Sequence, residues 1–347
     1  MDNMDNIDTH KIASVVAGVG YYVPEQVITS KDVDARLNGI RHLNVGNMVE
    51  NITGVKERRY ASSNIQASDL AVEAARDALE QAGMSPSDLD VILFTSCSRD
   101  LAEPATANIV QAKLGAVRAR VMDVTNACNS FLSGLEVMDA LIAGGRAKAG
   151  LVVAGEKLST VVNWDLKNAS ELQTGFAALT LGDGGGAMVL IEKNNHDNRG
   201  ILGTYFVSDG KEWPLSVVMG GGTISPRNNL NDTYFWSDSL KLNRLAMKHV
   251  PRVIEHVMKM IKWTPADIDL VVPHQVSLSV AHKIARRFDY PFEKIMMVLD
   301  RYGNVGAAST PIALREAIRE GRVKKGSSIM LLGGAAGFSA GAIGLIL

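Results

Sequence analysis

In Asp123-Val-Thr-Asn-Ala-Cys128-Asn-Ser-Phe-Leu-Ser-Gly-Leu135 a strand, a turn, a cysteine and a helix follow one another without a gap. The apolar, β-branched run from Ala119 to Val124 predicts a buried strand. The polar turn Thr125-Asn126-Ala127 then leads into a helix whose first turn carries Cys128. Phe131, Leu132, Leu135, Val137 and Met138, spaced by small Ser133, Gly134 and Ala140, predict burial on most sides of that helix. A thiol at the amino end of a buried helix meets unpaired N–H groups and the positive end of the helix dipole, and both favour thiolate over thiol. A free cysteine is ordinarily a small buried hydrophobe. This one reads as a nucleophile provided that a base and an oxyanion site converge on it from elsewhere.

Size and composition limit the rest. The chain has 347 residues, 46% of them hydrophobic and 32 of them glycine, as in a densely packed α/β enzyme. A net charge of −1 gives no global attraction for nucleic acid or an anionic membrane. The two cysteines, Cys97 and Cys128, suffice neither for a disulfide framework nor for a zinc site, and they suit a reducing compartment. Met1 to His10 is polar and acidic, so no secretory signal is expected, and no glycine-free apolar run is long enough to span a bilayer. The expectation is a soluble, cytoplasmic protein.

Along the chain, Ile12 to Gly20 predicts a first strand. Its Gly18-Val-Gly20 lacks the third glycine and helix opening of a dinucleotide fingerprint, so nucleotide binding is rejected there. Ser30 to Leu37 and Ser68 to Gly83 predict helices, Val91 to Thr95 a strand, Thr106 to Leu114 a helix, and Ala149 to Gly155 and Ala187 to Ile191 two further strands. The second half repeats this grammar. Thr264-Pro-Ala-Asp-Ile-Asp-Leu-Val-Val-Pro-His274-Gln echoes Ser85-Pro-Ser-Asp-Leu-Asp-Val-Ile-Leu-Phe-Thr-Ser96 almost residue for residue. Gly337-Phe-Ser-Ala-Gly-Ala-Ile-Gly-Leu345 likewise echoes Gly182-Asp-Gly-Gly-Gly-Ala-Met-Val-Leu190. The repetition implies an internal duplication, with halves at 1–195 and 196–347. Strand ends of both halves would then face one crevice.

Three second-half features supply what Cys128 lacks. His274 stands at the end of a buried strand, behind Pro273. Asn304 sits between Gly303 and Gly306, ahead of a helix from Pro311 to Glu320. Leu331 to Gly341 is a small-residue loop able to present backbone N–H groups to a thioester oxygen.

Asn126-Ala-Cys128, Pro273-His274-Gln, Tyr302-Gly-Asn304-Val-Gly-Ala-Ala-Ser and the closing glycine-rich loop together resemble the β-ketoacyl-acyl-carrier-protein synthase III branch of the thiolase superfamily, in order from about Ser14 to Leu347. The resemblance implies an α/β fold of five layers, αβαβα, normally homodimeric. It implies a triad of Cys128, His274 and Asn304 and an oxyanion hole from the backbone N–H groups of Cys128 and Ala336. The implied reaction is a Claisen condensation of a Cys-bound acyl group with a second thioester carried by CoA or an acyl carrier protein. No cofactor or metal is implied.

The loop Thr95-Ser-Cys-Ser-Arg-Asp-Leu-Ala-Glu103-Pro104 carries glutamate where initiating synthases carry an aromatic residue. In this it is similar to the head-to-head condensing enzymes of olefin biosynthesis and to pyrone-forming ketosynthases, in which a glutamate from the partner subunit is the base. That likeness implies a non-decarboxylative condensation with Glu103 as base, giving a β-keto product or a pyrone-type ring. The alternatives are a decarboxylative synthase using malonyl-carrier protein for fatty acid or polyketide initiation, a non-catalytic partner subunit, and a thioesterase. Met48 and Ile52 stand where the family's adenine-gripping tryptophan and arginine are expected. Lys283, Arg286 and Arg287, on the helix after His274, are the candidates for docking a carrier protein.

Overall fold

The computed structural model describes residues 13–37, 40, 47–194, 197–226 and 229–347. The expected start of the first strand at Ile12, the acidic Met1 to His10 and the boundary between 195 and 196 lie outside the described residues. Two sheets of matching design organise the rest. In the first, the strands run in the order Ser14–Tyr22, Asp183–Glu192, Ala149–Lys157, Val91–Phe94, Arg120–Asp123. The first two junctions are antiparallel and the last two parallel. The second sheet runs Gly200–Ser208, Ser339–Ile346, Ser328–Ala335, Leu270–Pro273, with the same alternation of sense. A parallel bridge from Val271 to Ile295 stands where the fifth strand would be. The two sequence echoes fall on equivalent places. Pro86–Asp88 and Pro265–Asp267 are both single 3-10 turns closed by capping boxes, from Ser85 with Asp88 and from Thr264 with Asp267.

Helices complete the five layers. Ala67–Ala82 and Thr106–Leu114 cover the outer face of the first sheet, and Ser239–Ile261 and Leu278–Arg287 that of the second. Ser130–Ala143 and Ser309–Arg319 lie between the sheets and touch both. Phe131, Leu132, Leu135 and Met138 of the first of these central helices pack with Val152, Leu331, Ile312 and Ile343 in one continuous core. Burial of this layer stabilises the fold by about 25 cal/mol per Å² of apolar area removed from water.

The glycines serve the layering. The outer helix Ala67–Ala82 presents alanines to the sheet and stops at Gly83, whose left-handed φ of 64° favours glycine. A Cβ on Gly18 or Gly20 would overlap the backbone of Ala78 in that helix, so the pair rejected as a nucleotide fingerprint is a helix-packing device. Gly185 meets Leu70 of the same helix, while Gly186 meets Pro311 of the central one. The strand there starts at Asp183, four residues earlier than the expected Ala187, because glycines on both faces admit two helices at once. Gly185→Ala is therefore expected to lower stability by about 3 kcal/mol, seen as a lower urea midpoint. Gly222→Ala, where nothing lies within 4 Å, serves as a near-neutral control.

Two expectations need correction. The run from Ala119 to Val124 forms the strand Arg120–Asp123, but it is half exposed, not buried. It is the last strand of its sheet, and one side of its backbone has no strand neighbour among the described residues. The helix after Cys128 begins at Ser130 with Asn129 as its cap, so the cysteine lies just before the helix and not in its first turn.

Candidate active site

Strand register gathers the site. Val91–Phe94 is flanked by two parallel strands, with Phe94 paired to Asp123 on one side and to Val153 on the other. All three chains therefore leave the sheet at the same end. Three residues on from Phe94 and Val153 stand Cys97 and Glu156, level with each other. Beyond Asp123 comes the turn that carries Cys128. Ala127, immediately before the nucleophile, has φ of 47°, a left-handed conformation costing a non-glycine residue roughly 1–2 kcal/mol. Ser130 Oγ holds this turn by donating to the Ala127 carbonyl and accepting from the Asn126 N–H at 2.6 and 2.7 Å.

The C-terminal hairpin presses on the same turn. Ser339 Oγ donates to Asn126 Oδ1 at 3.1 Å, and Asn129 Nδ2 donates to Ser339 Oγ at 3.4 Å. Ala336 lies in the tip joining Ser328–Ala335 to Ser339–Ile346. Neither the Cys128 nor the Ala336 N–H donates to a backbone carbonyl among the described residues.

His274 follows Leu270–Pro273, and its N–H donates to the Leu332 carbonyl at 2.7 Å. The next residue, Gln275, is fully buried. Its Nε2 donates to the Pro273 and Met296 carbonyls, and its Oε1 accepts from the Val298 N–H, so the strand end is stapled to the segment before Asn304. The His274 ring reaches Cys128, and its Nδ1 is buried without a hydrogen-bond partner in the protein. Asn304 is pinned by its N–H to the Thr180 carbonyl and by its carbonyl to the Gly182 N–H, both at 2.9 Å. The Gly306 N–H donates to Asn304 Oδ1 at 3.0 Å, which fixes the amide orientation and leaves Nδ2 as the free donor end.

Sequence reasoning missed two residues here. Glu156 is completely buried. Its Oε1 accepts from the N–H groups of Cys97 (2.8 Å) and Ala307 (3.2 Å), and its Oε2 from that of Ser98 (3.0 Å). One carboxylate thus ties the Cys97 turn to the Asn304 loop. Burial pushes its carboxyl up to about 7, against the N–H donors that favour the charged form. Cys97, exposed as a residue in the single chain, directs its thiol at Cys128. The hydrogen bond from Cys97 is the largest influence on the Cys128 thiol. Together with the charge of His274 and a hydrogen bond to it, this holds the thiol well below its ordinary range despite burial. The same contact, with Glu156 adding to it, pushes Cys97 well above its own. Parallel strand register is the signal that could have found both residues.

Glu103 is exposed, on the loop that leaves Cys97. That loop ends against the edge strand, where Asp123 accepts from the N–H groups of Thr106 and Ala107 at 2.9 and 2.8 Å. Lys283, Arg286 and Arg287 are all exposed, and Arg287 pairs with Glu255 at 3.1 Å. Leu278, which opens that helix, borders a cleft of about 480 Å³ with Glu50, Asn51, Lys56, Met297 and Asp300. Met48 packs on the core and Ile52 is exposed. Among the described residues no cluster of His, Cys, Asp and Glu could hold a metal ion, and no helix is long and apolar enough to cross a membrane.

Comparison with known proteins places this arrangement. The family model described as 3-oxoacyl-[acyl-carrier-protein] synthase III matches residues 122–210, and the model of its C-terminal part matches residues 258–346. The β-ketoacyl-[acyl-carrier-protein] synthase III of Caldanaerobacter subterraneus is 33% identical over 335 residues, covering 95% of this chain and 96% of its own length. The chain belongs to the β-ketoacyl-acyl-carrier-protein synthase III family. Like the synthases it resembles, it is a condensing acyltransferase, built on the thiolase fold. The synthase III structure from Aquifex aeolicus superposes with a TM-score of 0.85 at 31% identity, over 96% of this chain and all of that one. Cerulenin-bound OleA from Xanthomonas superposes with a TM-score of 0.89 at 28% identity, over 99% of this chain and all of its own. The synthase III likeness thus extends to the olefin-biosynthesis subgroup, and other OleA structures carry single changes at a glutamate, a cysteine and a histidine.

Proposed function

We propose that this synthase joins two acyl or β-ketoacyl thioesters without decarboxylation. The reading rests on the convergence of Cys128 and His274 at the strand ends, together with a glutamate, Glu103, exposed on the loop that leaves Cys97 near the open sheet edge. Cys128 attacks the first thioester and keeps the acyl group, while the Cys128 and Ala336 N–H groups receive the oxygen as it gains charge. The second thioester places its carbonyl oxygen against His274 and Asn304 Nδ2, which stabilise the enolate. Its α-proton goes to Glu103 of the partner subunit in a homodimer. Support for that geometry comes from the unpaired edge Arg120–Asp123 and from exposed Leu101, Val117 and Met122 around it, an edge that a second copy would cover. The product is a β-keto acid or thioester, or a pyrone-type ring formed from it. The thioester carrier is CoA or an acidic carrier protein. The latter would dock on Lys283, Arg286 and Arg287, on the helix whose first residue, Leu278, borders the 480 Å³ cleft.

Glu103→Gln tests the proposal. Acyl loading of Cys128, followed by intact mass, is expected to persist, while the coupled product falls by on the order of 10²–10⁴-fold. The second reading, decarboxylative condensation with malonyl-carrier protein, is favoured by the 33% identical relative, whose name is that of a synthase III. Unchanged CO₂ release and product formation from a malonyl thioester in Glu103→Gln would establish it instead. A variant that no longer loads Cys128 would point to a structural role for Glu103.

A further inference from the structure

Besides Cys128 the chain has one cysteine, and it lies against the nucleophile. Cys97 and Cys128 follow adjacent parallel strands, whose last residues Phe94 and Asp123 are paired, and their two sulfurs are neighbours. Glu156 Oε1 accepts from the Cys97 N–H at 2.8 Å and Oε2 from that of Ser98, so the turn that carries Cys97 is tied down beside the nucleophile. Both cysteines are free in this structure, and Cys97 keeps an open face toward solvent. Condensation needs none of this from Cys97, because acyl transfer and carbon–carbon bond formation are supplied by the residues already described.

We infer that Cys97 is the resolving thiol of a reversible oxidative modification, closing a disulfide onto Cys128 when the enzyme meets a hydroperoxide. The Cys128 thiolate attacks the peroxide oxygen, the O–O bond breaks, and a sulfenic acid and hydroxide are formed. The Cys97 sulfur then attacks the sulfenic sulfur. The S–S bond forms as the S–O bond breaks, and the Cys97 proton and the departing hydroxide leave as water. Two thiols and one hydrogen peroxide become one disulfide and two waters, with the sulfurs oxidised by two electrons and the peroxide reduced by two.

The contact also sets the order of events. While Cys128 is a thiolate, its negative charge and its hydrogen bond keep Cys97 protonated and unreactive. Oxidation of Cys128 to the neutral sulfenic acid removes both restraints, so Cys97 becomes a nucleophile only when there is something to resolve. The disulfide blocks acyl loading and also protects Cys128 from the irreversible sulfinic state. A bound acyl group excludes the reaction, since the sulfur is already occupied.

The test treats the full-length protein with hydrogen peroxide, measures acyl loading on one portion, and unfolds another in urea to label its free thiols with iodoacetamide and measure intact mass. Loss of two hydrogens, loss of both labelling sites together, and complete recovery of acyl loading with dithiothreitol are the expected results. Cys97→Ser is expected to gain two oxygens on Cys128 at the same peroxide dose and to stay inactive after dithiothreitol. Cys97 still labelled in the wild type while Cys128 gains oxygen would overturn the inference. So would a disulfide linking two chains on non-reducing electrophoresis, or equal recovery of the wild type and Cys97→Ser. The labelling pattern of the wild type decides the matter even if the variant does not fold. None of these readouts depends on which condensation the enzyme performs.

Discussion

Cys128→Ala is expected to take up no acyl group from any thioester and to lower turnover by on the order of 10⁴-fold or more, with folding intact. The sulfur carries the covalent intermediate, and no neighbouring group can replace it in that role. Cys97 is the nearest candidate, but burial and the neighbouring Glu156 still hold its thiol up once Cys128 is gone, and it lies off the turn that presents the nucleophile. Two further changes divide the work of the site. His274→Ala and Asn304→Ala leave the Cys128 and Ala336 N–H groups in place, so acyl loading is expected to survive. Coupling is expected to fall by about 10²–10³-fold for each, because a single donor to a developing oxyanion is worth that much. His274→Ala also removes one influence that keeps Cys128 ionised, so the pH dependence of iodoacetamide labelling moves upward. In Asn304→Ala that profile stays where it is. Wild-type Cys128 is expected to label fully well below the ordinary thiol value of about 8.5. Labelling that rose only around that value would sink the thiolate assignment, and loss of acyl loading in both neighbours' variants would sink the division of roles.

Much of this was legible in the sequence because it is local or repeated. Ser85 with Asp88 and Thr264 with Asp267 announce the same capped turn before the same parallel strand, and the two sheets place those strands alike. Cys128, His274 and Asn304 were legible as residues at strand ends or between glycines. What could not be read is set by pairing between distant segments. Whether Ala119 to Val124 is central or at an edge depends on sheet order, which an apolar run does not encode, and the same hydrophobic pattern serves a sheet edge that awaits a second chain. Glu156 stands one residue past the strand expected at Ala149 to Gly155. The strand in fact runs on to Lys157, and its register with Val91–Phe94 draws the carboxylate inward to meet Cys97, Ser98 and Ala307. Cys97 became part of the site through that same register.

Glu156→Gln is expected to change the protein's response to pH more than its fold. The folded-state carboxyl lies at about 7 against an ordinary 4.5, so the native state binds the proton more tightly than the unfolded chain does. The resulting stabilisation is fully present below pH 4.5 and is lost as pH rises to about 7, a difference of about 3 kcal/mol. Glutamine cannot titrate. Its carbonyl can still accept from Cys97 and Ala307, but its NH₂ then faces the Ser98 N–H, a buried donor set against a donor, which costs about 1–3 kcal/mol. The variant is therefore expected to be less stable than wild type at pH 4.5 and to close the gap by pH 7, as measured by urea unfolding across that range. Removing a neighbouring negative charge also favours the Cys128 thiolate, so iodoacetamide labelling is expected to shift toward lower pH. Parallel stability curves for the two proteins would mean that Glu156 is ionised throughout, with its three N–H donors outweighing burial. An unshifted labelling profile would mean that its charge does not reach the nucleophile. The two measurements separate its task as a tie between the Cys97 turn and the Asn304 loop from its electrostatic effect on the sulfur, because the tie survives in glutamine at two of three contacts and the charge does not survive at all.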